Sequence, residues 1–269
     1  MKNNFITIII HYYNRKKTIL RTLSSIVKKF KSNEVKIILI DDNSKDNTSY
    51  LARNYLYNKS YKFEFIKNSE NKGTNYCKNI GLNLSKTKWT IFLDSDDEIM
   101  IERNNLKKLL MQNSKFKIVC LSSLSSKTKI LNPFKKNRIL SYREFVNYGK
   151  GSEVLDCIQK MGIYKPFDEK IKLSGEIVGW SRLIKKCSKI IICKDLARKY
   201  HEDNNISRIS NLGKIKMSKN YLRAHTVNLK ENFYYMQFRK KLITFLKVIF
   251  YYFYSKILFL FENNIFSKK

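Results

Sequence analysis

Two hydrophobic periods alternate along the first 125 residues of this chain, and they restrict its possible folds more than any other feature. Five apolar runs have the length of buried strands, at residues 5–10, 35–40, 62–66, 89–93 and 117–121. Between them, apolar residues recur at three- and four-residue steps on residues 17–31, after Thr48 and after Gly73. The succession predicts an α/β domain with a mostly parallel central sheet flanked by helices.

Polar clusters follow each of the first four predicted strands, at residues 11–14, 41–44, 67–73 and 94–98. Any one of them is explained by a turn or a helix N-cap, where Asp, Asn and Ser are preferred. In a parallel sheet, however, ligands bind beyond the carboxyl ends of the strands. Four clusters at one such edge therefore favour a binding site.

The most acidic of these clusters is the run D-S-D-D-E at residues 94–98. Adjacent carboxylates repel one another, so that keeping them together suggests a bound cation, and hard oxygen ligands suit Mg²⁺ or Mn²⁺. The alternative is a solvated turn before a helix, with Glu98 as a helix-start residue. No G-x-G-x-x-G follows the first strand and no G-x-x-x-x-G-K-[ST] occurs, which disfavours a Rossmann dinucleotide site and a P-loop.

The chain is very basic, with a formal net charge of +32. This excess favours anionic partners such as nucleotides, acidic glycans or an anionic lipid surface. Lys, Asn and Ile are frequent everywhere, as AT-rich coding would produce, and no nucleic-acid-binding motif occurs, so we expect no nucleic acid partner. Five scattered cysteines without a C-x-x-C pair and the lack of a credible secretory signal predict a cytoplasmic protein.

The last part of the chain, residues 233–266, is dominated by Phe, Tyr, Ile and Leu with interspersed basic residues. Its most apolar stretch, residues 242–261, contains two lysines and is marginal for a membrane span. A basic, aromatic helix lying in the headgroup region of an anionic membrane is therefore predicted. The alternative is a helix that packs back on the domain or into a partner subunit.

Four segments follow one another in a characteristic order and spacing: I-I-I-H-Y-Y-N (8–14), I-L-I-D-D-N-S-K-D-N-T (38–48), N-K-G-T-N-Y-C-K-N-I-G (71–81) and F-L-D-S-D-D (92–97). Together they closely resemble the family 2 glycosyltransferases of the GT-A fold, of the bacterial surface-polysaccharide type. A looser match runs from residue 167 to residue 201. The resemblance implies a nucleotide-sugar-binding half (1–125), an acceptor-binding half (126–215) and a basic helical extension (216–269).

The resemblance also implies roles for the residues at the strand ends. Asp42 would bind the uracil of a UDP-sugar, with Asp41 as its neighbour. His11 would lie against the nucleoside, and Lys72 would flank the base or the diphosphate.

In the D-x-D pair, the resemblance places Asp94 near the ribose and the donor sugar and Asp96 on Mn²⁺ or Mg²⁺. Asp97 is close enough to share the metal. A divalent ion that bridges the two phosphates stabilises the leaving nucleoside diphosphate.

Members of the family invert the anomeric carbon in one displacement, which requires a general base near the acceptor hydroxyl. We assign that base to Glu176. Many relatives have Glu-Asp here, whereas this chain has Ile177 in place of the aspartate. Asp168 and Glu169 are the competing carboxylates, and surface ion pairing is the alternative for all three.

Two further residues keep two interpretations each. His201 either reaches the diphosphate or metal, or is a hydrogen-bonded structural histidine. Trp180 either stacks on an acceptor sugar or belongs to the core.

The predicted function is an inverting, metal-dependent glycosyltransferase of surface-polysaccharide synthesis at the inner face of the cell membrane. It would move one sugar from a UDP-sugar to a glycan or lipid-linked acceptor, since the Q-x-x-R-W signature of processive synthases is missing. The alternative is a catalytically silent nucleotide-sugar-binding or scaffold protein on anionic membrane. The sequence leaves the donor sugar, the acceptor, the linkage and the oligomeric state open.

Overall fold

A computed structural model describes residues 5–127, 130–131, 136–150, 154–163, 165–202 and 214–266. In these residues one sheet contains the strands β1 (Ile6–Tyr12), β2 (Val35–Asp41), β3 (Phe63–Lys67), β4 (Trp89–Phe92), β5 (Glu98–Ile99), β6 (Ile118–Ser125), β7 (Arg138–Ser141), β8 (Leu155–Gln159) and β9 (Lys189–Tyr200). The helices are α1 (Ile19–Lys29), α2 (Thr48–Asn58), α3 (Thr74–Leu84), α4 (Arg103–Gln112), α5 (Tyr142–Tyr148), α6 (Ile177–Cys187), α7 (Lys214–Asn232) and α8 (Phe238–Phe266).

The sheet has the order β3-β2-β1-β4-β8-β6-β9-β5, and β7 pairs with β9. Strands β3, β2, β1 and β4 are mutually parallel. Beyond β4 the sheet is mixed, because β8 runs antiparallel to β4 and β6 whereas β9 runs parallel to β6. Since β1 lies between β2 and β4, the strand order reverses beside β1, which is where ligands bind in open α/β sheets.

Helices cover both faces of this sheet, and that explains the nearly continuous apolar strands. In β1, Ile8 and Ile10 join one core cluster with α1, α2 and α4, whereas Ile9 joins a second cluster with α3, α5 and α6. A strand covered on both faces must be apolar at successive positions rather than alternating. The predicted α/β fold is confirmed.

The C-terminal extension forms two helices that pack on each other, α7 also contacting α6. The ring centroids of Tyr221 on α7 and Tyr251 on α8 are 5.0 Å apart, and Thr244, seven residues before Tyr251, is buried. One face of α8 therefore packs against α7. In the part of the chain that the structure describes, no helix is long and apolar enough to cross a membrane.

Candidate active site

The carboxyl ends of β1, β2 and β4 lie side by side and bring the predicted strand-end residues together. Tyr12 pairs with Asp41 across β1 and β2, and the Asp42 amide donates to the Tyr12 carbonyl at 2.8 Å. On the other side of β1, the Leu93 amide donates to the Ile9 carbonyl at 3.0 Å, which places Asp94 at the same edge. The segments that the sequence placed at one sheet edge do meet there.

Asp42 organises the loop that follows β3. Its Oδ1 accepts hydrogen bonds from Asn68 Nδ2 and from the Lys72 amide, each at 2.8 Å, and its Oδ2 accepts one from the Gly73 amide at 2.8 Å. A carboxylate oxygen has two acceptor positions, so Oδ2 retains one that is not taken by these bonds. Asp42 can therefore hold this loop and still accept a hydrogen bond from a ligand.

Its neighbour Asp41 faces the interior. The side chain is fully buried, and its oxygens accept hydrogen bonds from the Ser44 amide at 2.7 Å and from Ser49 Oγ. Asp41 thus fixes the turn after β2. The Lys72 side chain lies over the Tyr76 ring, with Nζ 4.7 Å from the ring centroid, beside the loop that Asp42 holds.

Gly73 makes a close backbone approach to Lys172, in the predicted acceptor-binding half. Its φ of 89° lies in the left-handed region, and a Cβ at this position would lie 2.2 Å from the Lys172 carbonyl oxygen. The next residue, Thr74, donates its amide to that same oxygen at 3.0 Å. Only glycine permits this approach.

Replacing Gly73 by alanine should therefore lower the free energy of unfolding by about 2–4 kcal/mol, since overpacking adds to the backbone strain. Gly149→Ala is the matched control: Gly149 has a φ of 73°, but no atom of the described residues lies within 4 Å of its added Cβ. Gly149→Ala should lower the free energy of unfolding only by the cost of the backbone strain, about 1–2 kcal/mol. Urea denaturation of both variants measures the difference, and equal losses would contradict the proposed contact.

The acidic loop after β4, residues 94–98, contains a fully buried carboxylate, that of Asp97. Burial raises its pKa to about 8; Arg198 opposes this shift, and the nearby charges of Asp94 and Asp96 add to it. Asp97 Oδ1 accepts a hydrogen bond from the His201 amide at 3.1 Å. Its Oδ2 lies 3.3 Å from Arg198 Nη1 but accepts no well-aligned hydrogen bond from the described residues.

Asp94 and Asp96 flank this carboxylate with different exposure. Asp94 is partly exposed and its Oδ2 accepts a hydrogen bond from Arg198 Nη1 at 3.3 Å, whereas Asp96 is largely buried. The Asp96 carbonyl oxygen accepts a hydrogen bond from Arg21 Nη2 on α1 at 2.7 Å. Two arginines from different elements therefore hold this loop.

The prediction that Glu98 begins a helix is wrong. Glu98 lies in β5, where it pairs with Lys199 of β9. The next helix, α4, begins only at Arg103, after this short strand. Glu98 Oε1 is 2.6 Å from His201 Nε2. This contact matches the structural interpretation of His201; a role at the diphosphate or metal stays a prediction.

A buried lysine that the sequence analysis did not single out, Lys78 of α3, lies at the centre of the site. It forms an ion pair with Glu176. Three ring centroids lie 5.2, 5.7 and 5.9 Å from its Nζ, those of Phe92, Phe167 and Trp180. Burial lowers the pKa of Lys78, but the charges of Glu176 and Asp94 outweigh burial and raise it overall, so the ammonium stays charged.

His11 carries no charge near neutral pH in this environment. Burial and then the Lys78 charge lower its pKa, against the opposing influence of Asp94, Glu176 and Asp42. Its buried Nδ1 has no hydrogen-bond partner among the described residues. A neutral imidazole with an unsatisfied nitrogen has an unmet hydrogen bond that a ligand can supply.

The three candidate bases differ in what holds them. Arg223 binds Asp168 through two nitrogens, at 2.9 and 3.2 Å. Glu169 accepts a hydrogen bond from Asn79 Nδ2 at 3.0 Å and lies 3.4 Å from Lys165 Nζ. Glu176, by contrast, pairs with Lys78 inside the site.

Trp180 belongs to the core. It is 5% exposed, its ring meets those of Phe92 and Phe167 edge-on, and Lys150 Nζ lies 3.6 Å from its ring centroid. Stacking on an acceptor sugar requires a free ring face, so the geometry favours the core interpretation.

The acidic loop offers the oxygen donors that a divalent cation prefers, but it does not provide a complete set of ligands. Asp96 and Asp97 offer hard oxygen donors, and Asp97 Oδ2 is a buried oxygen without a hydrogen bond. Within the described ranges, however, no three His, Cys, Asp or Glu side chains are arranged to hold one ion. A cation here needs further oxygens, which the phosphates of a nucleotide supply.

Comparison with known proteins gives a family match and a set of structural neighbours. The sequence model of the family described as "Glycosyl transferase family 2" matches residues 7–169 of this chain. An uncharacterized glycosyltransferase of Methanocaldococcus jannaschii is 24% identical over 240 residues, which is 86% of this chain and 82% of that protein. TarS of S. aureus in complex with UDP-GlcNAc superposes with a TM-score of 0.63 at 17% identity, covering 83% of this chain and 66% of that one, which shows a shared fold.

Two relatives match over shorter stretches. The teichoic acid poly(glycerol phosphate) polymerase of Staphylococcus epidermidis is 33% identical over 96 residues, 36% of this chain and 13% of that protein. The poly(ribitol-phosphate) beta-N-acetylglucosaminyltransferase TarP of Staphylococcus aureus is 35% identical over 93 residues, 34% of this chain and 28% of that protein. In both cases the chain spans a small part of the relative.

Proposed function

Because the chain belongs to glycosyl transferase family 2, we propose that it transfers one sugar from a UDP-sugar to a glycan or lipid-linked acceptor in surface-polysaccharide synthesis. The observation that carries the proposal is the convergence of His11, Asp42 and Asp94 around the switch point beside β1, together with the ion pair of the buried Lys78 and the half-buried Glu176. A UDP-sugar donor is supported by TarS, which was crystallised with UDP-GlcNAc.

In this proposal the nucleoside lies at the ends of β1 and β2. The remaining acceptor position of Asp42 Oδ2 receives the uracil N–H, and the His11 ring lies against the nucleoside. Lys72 flanks the base or the diphosphate. Lys78, which stays charged, contributes positive potential on the side where the leaving diphosphate develops charge.

Asp96 would hold a Mn²⁺ or Mg²⁺ ion, and Asp97 would be near enough to share it. Such an ion would supply positive charge against the negative charge of the leaving diphosphate. Two protein carboxylates suffice, because such ions keep several waters and bind substrate phosphates. Asp94 then faces the ribose and the donor sugar.

Glu176 accepts the proton of the acceptor hydroxyl while that oxygen attacks the anomeric carbon. The bond from this carbon to the diphosphate oxygen breaks as UDP leaves with the electron pair, and the configuration is inverted. The ion pair with Lys78 orients the carboxylate before the acceptor arrives. Ile177, at the position that is aspartate in many relatives, is 38% exposed and carries no proton acceptor.

The test is a panel of UDP-sugars with Mn²⁺, measuring donor hydrolysis and transfer, together with UDP binding by calorimetry. We expect metal-dependent UDP binding and turnover of at least one donor. Absence of UDP binding with and without metal would overturn the proposal. Binding without turnover of any donor would favour the silent nucleotide-sugar-binding or scaffold protein.

We also propose that α8 places the enzyme on the inner face of the cell membrane. Five exposed apolar side chains recur at helical spacing along the side of α8 away from Thr244: Leu242, Phe245, Leu246, Ile249 and Phe253. The helix carries five basic residues and a single carboxylate, Glu262. An apolar stripe on a basic helix matches an anionic lipid surface in both polarity and charge.

Replacing Phe245, Leu246 and Phe253 together by serine should lower binding to phosphatidylglycerol-containing vesicles at least about tenfold, since each buried aromatic or leucine side chain contributes about 1.5–3 kcal/mol. Vesicle sedimentation measures this. The control variant replaces Tyr50, Tyr57 and Met111, which are exposed apolar side chains elsewhere, and should bind like the wild type. Concentration-dependent self-association that the α8 variant abolishes, without vesicle binding by the wild type, would assign the stripe to a second copy of the chain.

A further inference from the structure

The segment that leads into Glu176 has neither helix nor strand. Residues 167–176, the base-carrying segment, are irregular throughout, and Glu176 is their last residue before α6 begins at Ile177. Such a segment has no ladder of main-chain hydrogen bonds to fix its shape, so side chains of neighbouring elements must satisfy its polar main-chain groups. The position of the Glu176 carboxylate therefore depends on the residues that hold this segment.

Helix α3 holds the start of the base-carrying segment. Asn79 binds Phe167 through both ends of its amide: Nδ2 donates to the Phe167 carbonyl at 2.8 Å, and Oδ1 accepts from the Phe167 amide at 3.1 Å. Asn75 Nδ2 donates to the Asp168 carbonyl at 3.0 Å. Both asparagines are buried, and they lie on either side of Lys78 in the sequence. The segment is thus fixed to the helix that carries the ion-pair partner of the proposed base.

Helix α7 holds the middle of the segment. Arg223 donates to both oxygens of the Asp168 carboxylate, at 2.9 and 3.2 Å, and Asp168 is largely buried. Asn220 Oδ1 accepts hydrogen bonds from the amides of Lys172 and Leu173, at 3.0 and 3.4 Å. Asn220 and Arg223 are three residues apart and so lie on one face of α7. That face supplies partners to a carboxylate and to two main-chain amides of the segment.

Apolar packing joins the same helix to the end of the segment. Ile171, Val178 and Ala224 form a small buried cluster, with Ala224 on α7 and Val178 on α6. A Cβ added to Gly175, whose φ is 72°, would lie 3.0 Å from the Ala224 Cβ. Helix α7 therefore fits closely against the residue that precedes Glu176.

We propose that α7 positions the general base. Asn220 and Arg223 hold the base-carrying segment against α3, and the Glu176 carboxylate thereby stays in place. The inference rests on the proposed function, in which Glu176 accepts the proton of the acceptor hydroxyl. Neither α7 residue needs to touch a substrate. Their effect on the rate arises because a displacement of about 1 Å at a reacting group can cost on the order of 10²-fold in rate.

The experiment is a double-mutant cycle of Arg223→Gln and Glu176→Gln, with kcat for transfer and UDP affinity measured for each variant. Alone, Arg223→Gln should lower kcat about 10–100-fold and leave UDP affinity and binding stoichiometry within about twofold of the wild type. In the Glu176→Gln background it should lower kcat less than about twofold, because the base through which Arg223 acts is already gone. A merely structural loss would lower kcat by the same factor in both backgrounds. Arg223→Lys, which keeps the charge but not the two-pronged contact, should lose less than Arg223→Gln.

Glu231→Gln is the matched control. It breaks the pair that Glu231 forms with two nitrogens of Arg182, at 3.0 and 2.6 Å, near the C-terminal end of α7. Arg182 keeps its separate hydrogen bond to the Pro166 carbonyl in this variant. The kcat of Glu231→Gln should therefore stay within about threefold of the wild type, since partly exposed ion pairs contribute little.

Equal loss of kcat from Arg223→Gln in both backgrounds would overturn the inference, as would unchanged kcat in Arg223→Gln or an equal loss in Glu231→Gln. Should Arg223→Gln fail to fold, Asn220→Ala takes its place in the same cycle and the same outcomes decide. Absence of UDP binding by the wild type, or full transfer by Glu176→Gln, would instead contradict the proposed function. Loss of transfer in Glu176→Gln without loss in Arg223→Gln overturns this inference alone.

Discussion

Asp96→Asn is expected to remove the metal-dependent part of the UDP affinity and to lower kcat/KM about 10²–10³-fold, the usual cost of losing one electrostatic contact to the developing charge. The amide keeps the shape of the side chain, and the Asp96 carbonyl still accepts the hydrogen bond from Arg21. The fold should therefore persist. Calorimetry with UDP in Mn²⁺ and in chelator measures the loss directly.

The matched control for this change is Asp195→Asn, an exposed carboxylate on β9 away from the acidic loop. It removes the same charge and should leave UDP affinity in Mn²⁺ within about twofold of the wild type, since exposed charges are screened over distance. If Asp96→Asn kept its full metal-dependent affinity, the D-x-D assignment would have to move to Asp94 or Asp97.

Glu176→Gln is expected to lower kcat about 10²–10⁴-fold, the contribution of a positioned general base, while the affinity for UDP stays close to that of the wild type. Glutamine cannot accept the hydroxyl proton but can still accept a hydrogen bond from Lys78. Transfer and UDP binding must be measured together with the free energy of unfolding, because the substitution also leaves the buried Lys78 charge without its counter-ion.

Glu169→Gln is the corresponding control, seven residues earlier in the same segment and already held by Asn79 and Lys165. It should keep kcat within about threefold of the wild type, since exposed ion pairs contribute little. Full transfer by Glu176→Gln, combined with loss in Glu169→Gln or Asp168→Asn, would assign the base to one of those competitors.

The first strands of the fold, β1 and β2, could be predicted from the sequence because they are buried on both faces. The predicted runs at residues 5–10 and 35–40 correspond to β1 (Ile6–Tyr12) and β2 (Val35–Asp41), within two residues at each end. Short strands carry no such signal. Strand β5 is only two residues long, which is too short to show a periodic pattern. It forms because it pairs with β9, which is distant in sequence.

Lys78 and Arg198 escaped the sequence analysis for a related reason. A lysine within a helix is normally solvated, and only tertiary packing shows that Lys78 shares the buried face of α3 with Cys77 and Gly81. In hindsight, the apolar and small residues around Lys78 were the available signal. Arg198 is followed by the partly exposed Lys199 near the end of β9, and its contact with Asp97 joins residues 101 positions apart. Periodicity describes only local neighbours.

The close approach of Gly73 to Lys172 has a consequence for protein engineering. Residues 73 and 74 meet residue 172 backbone to backbone there, through the Lys172 carbonyl and the Thr74 amide. A segment taken from a relative to replace residues 126–215 must therefore present a main-chain carbonyl at this point, and glycine must be retained at position 73. The same segment must also preserve the strand pairs β4–β8 and β6–β9, which cross the same boundary.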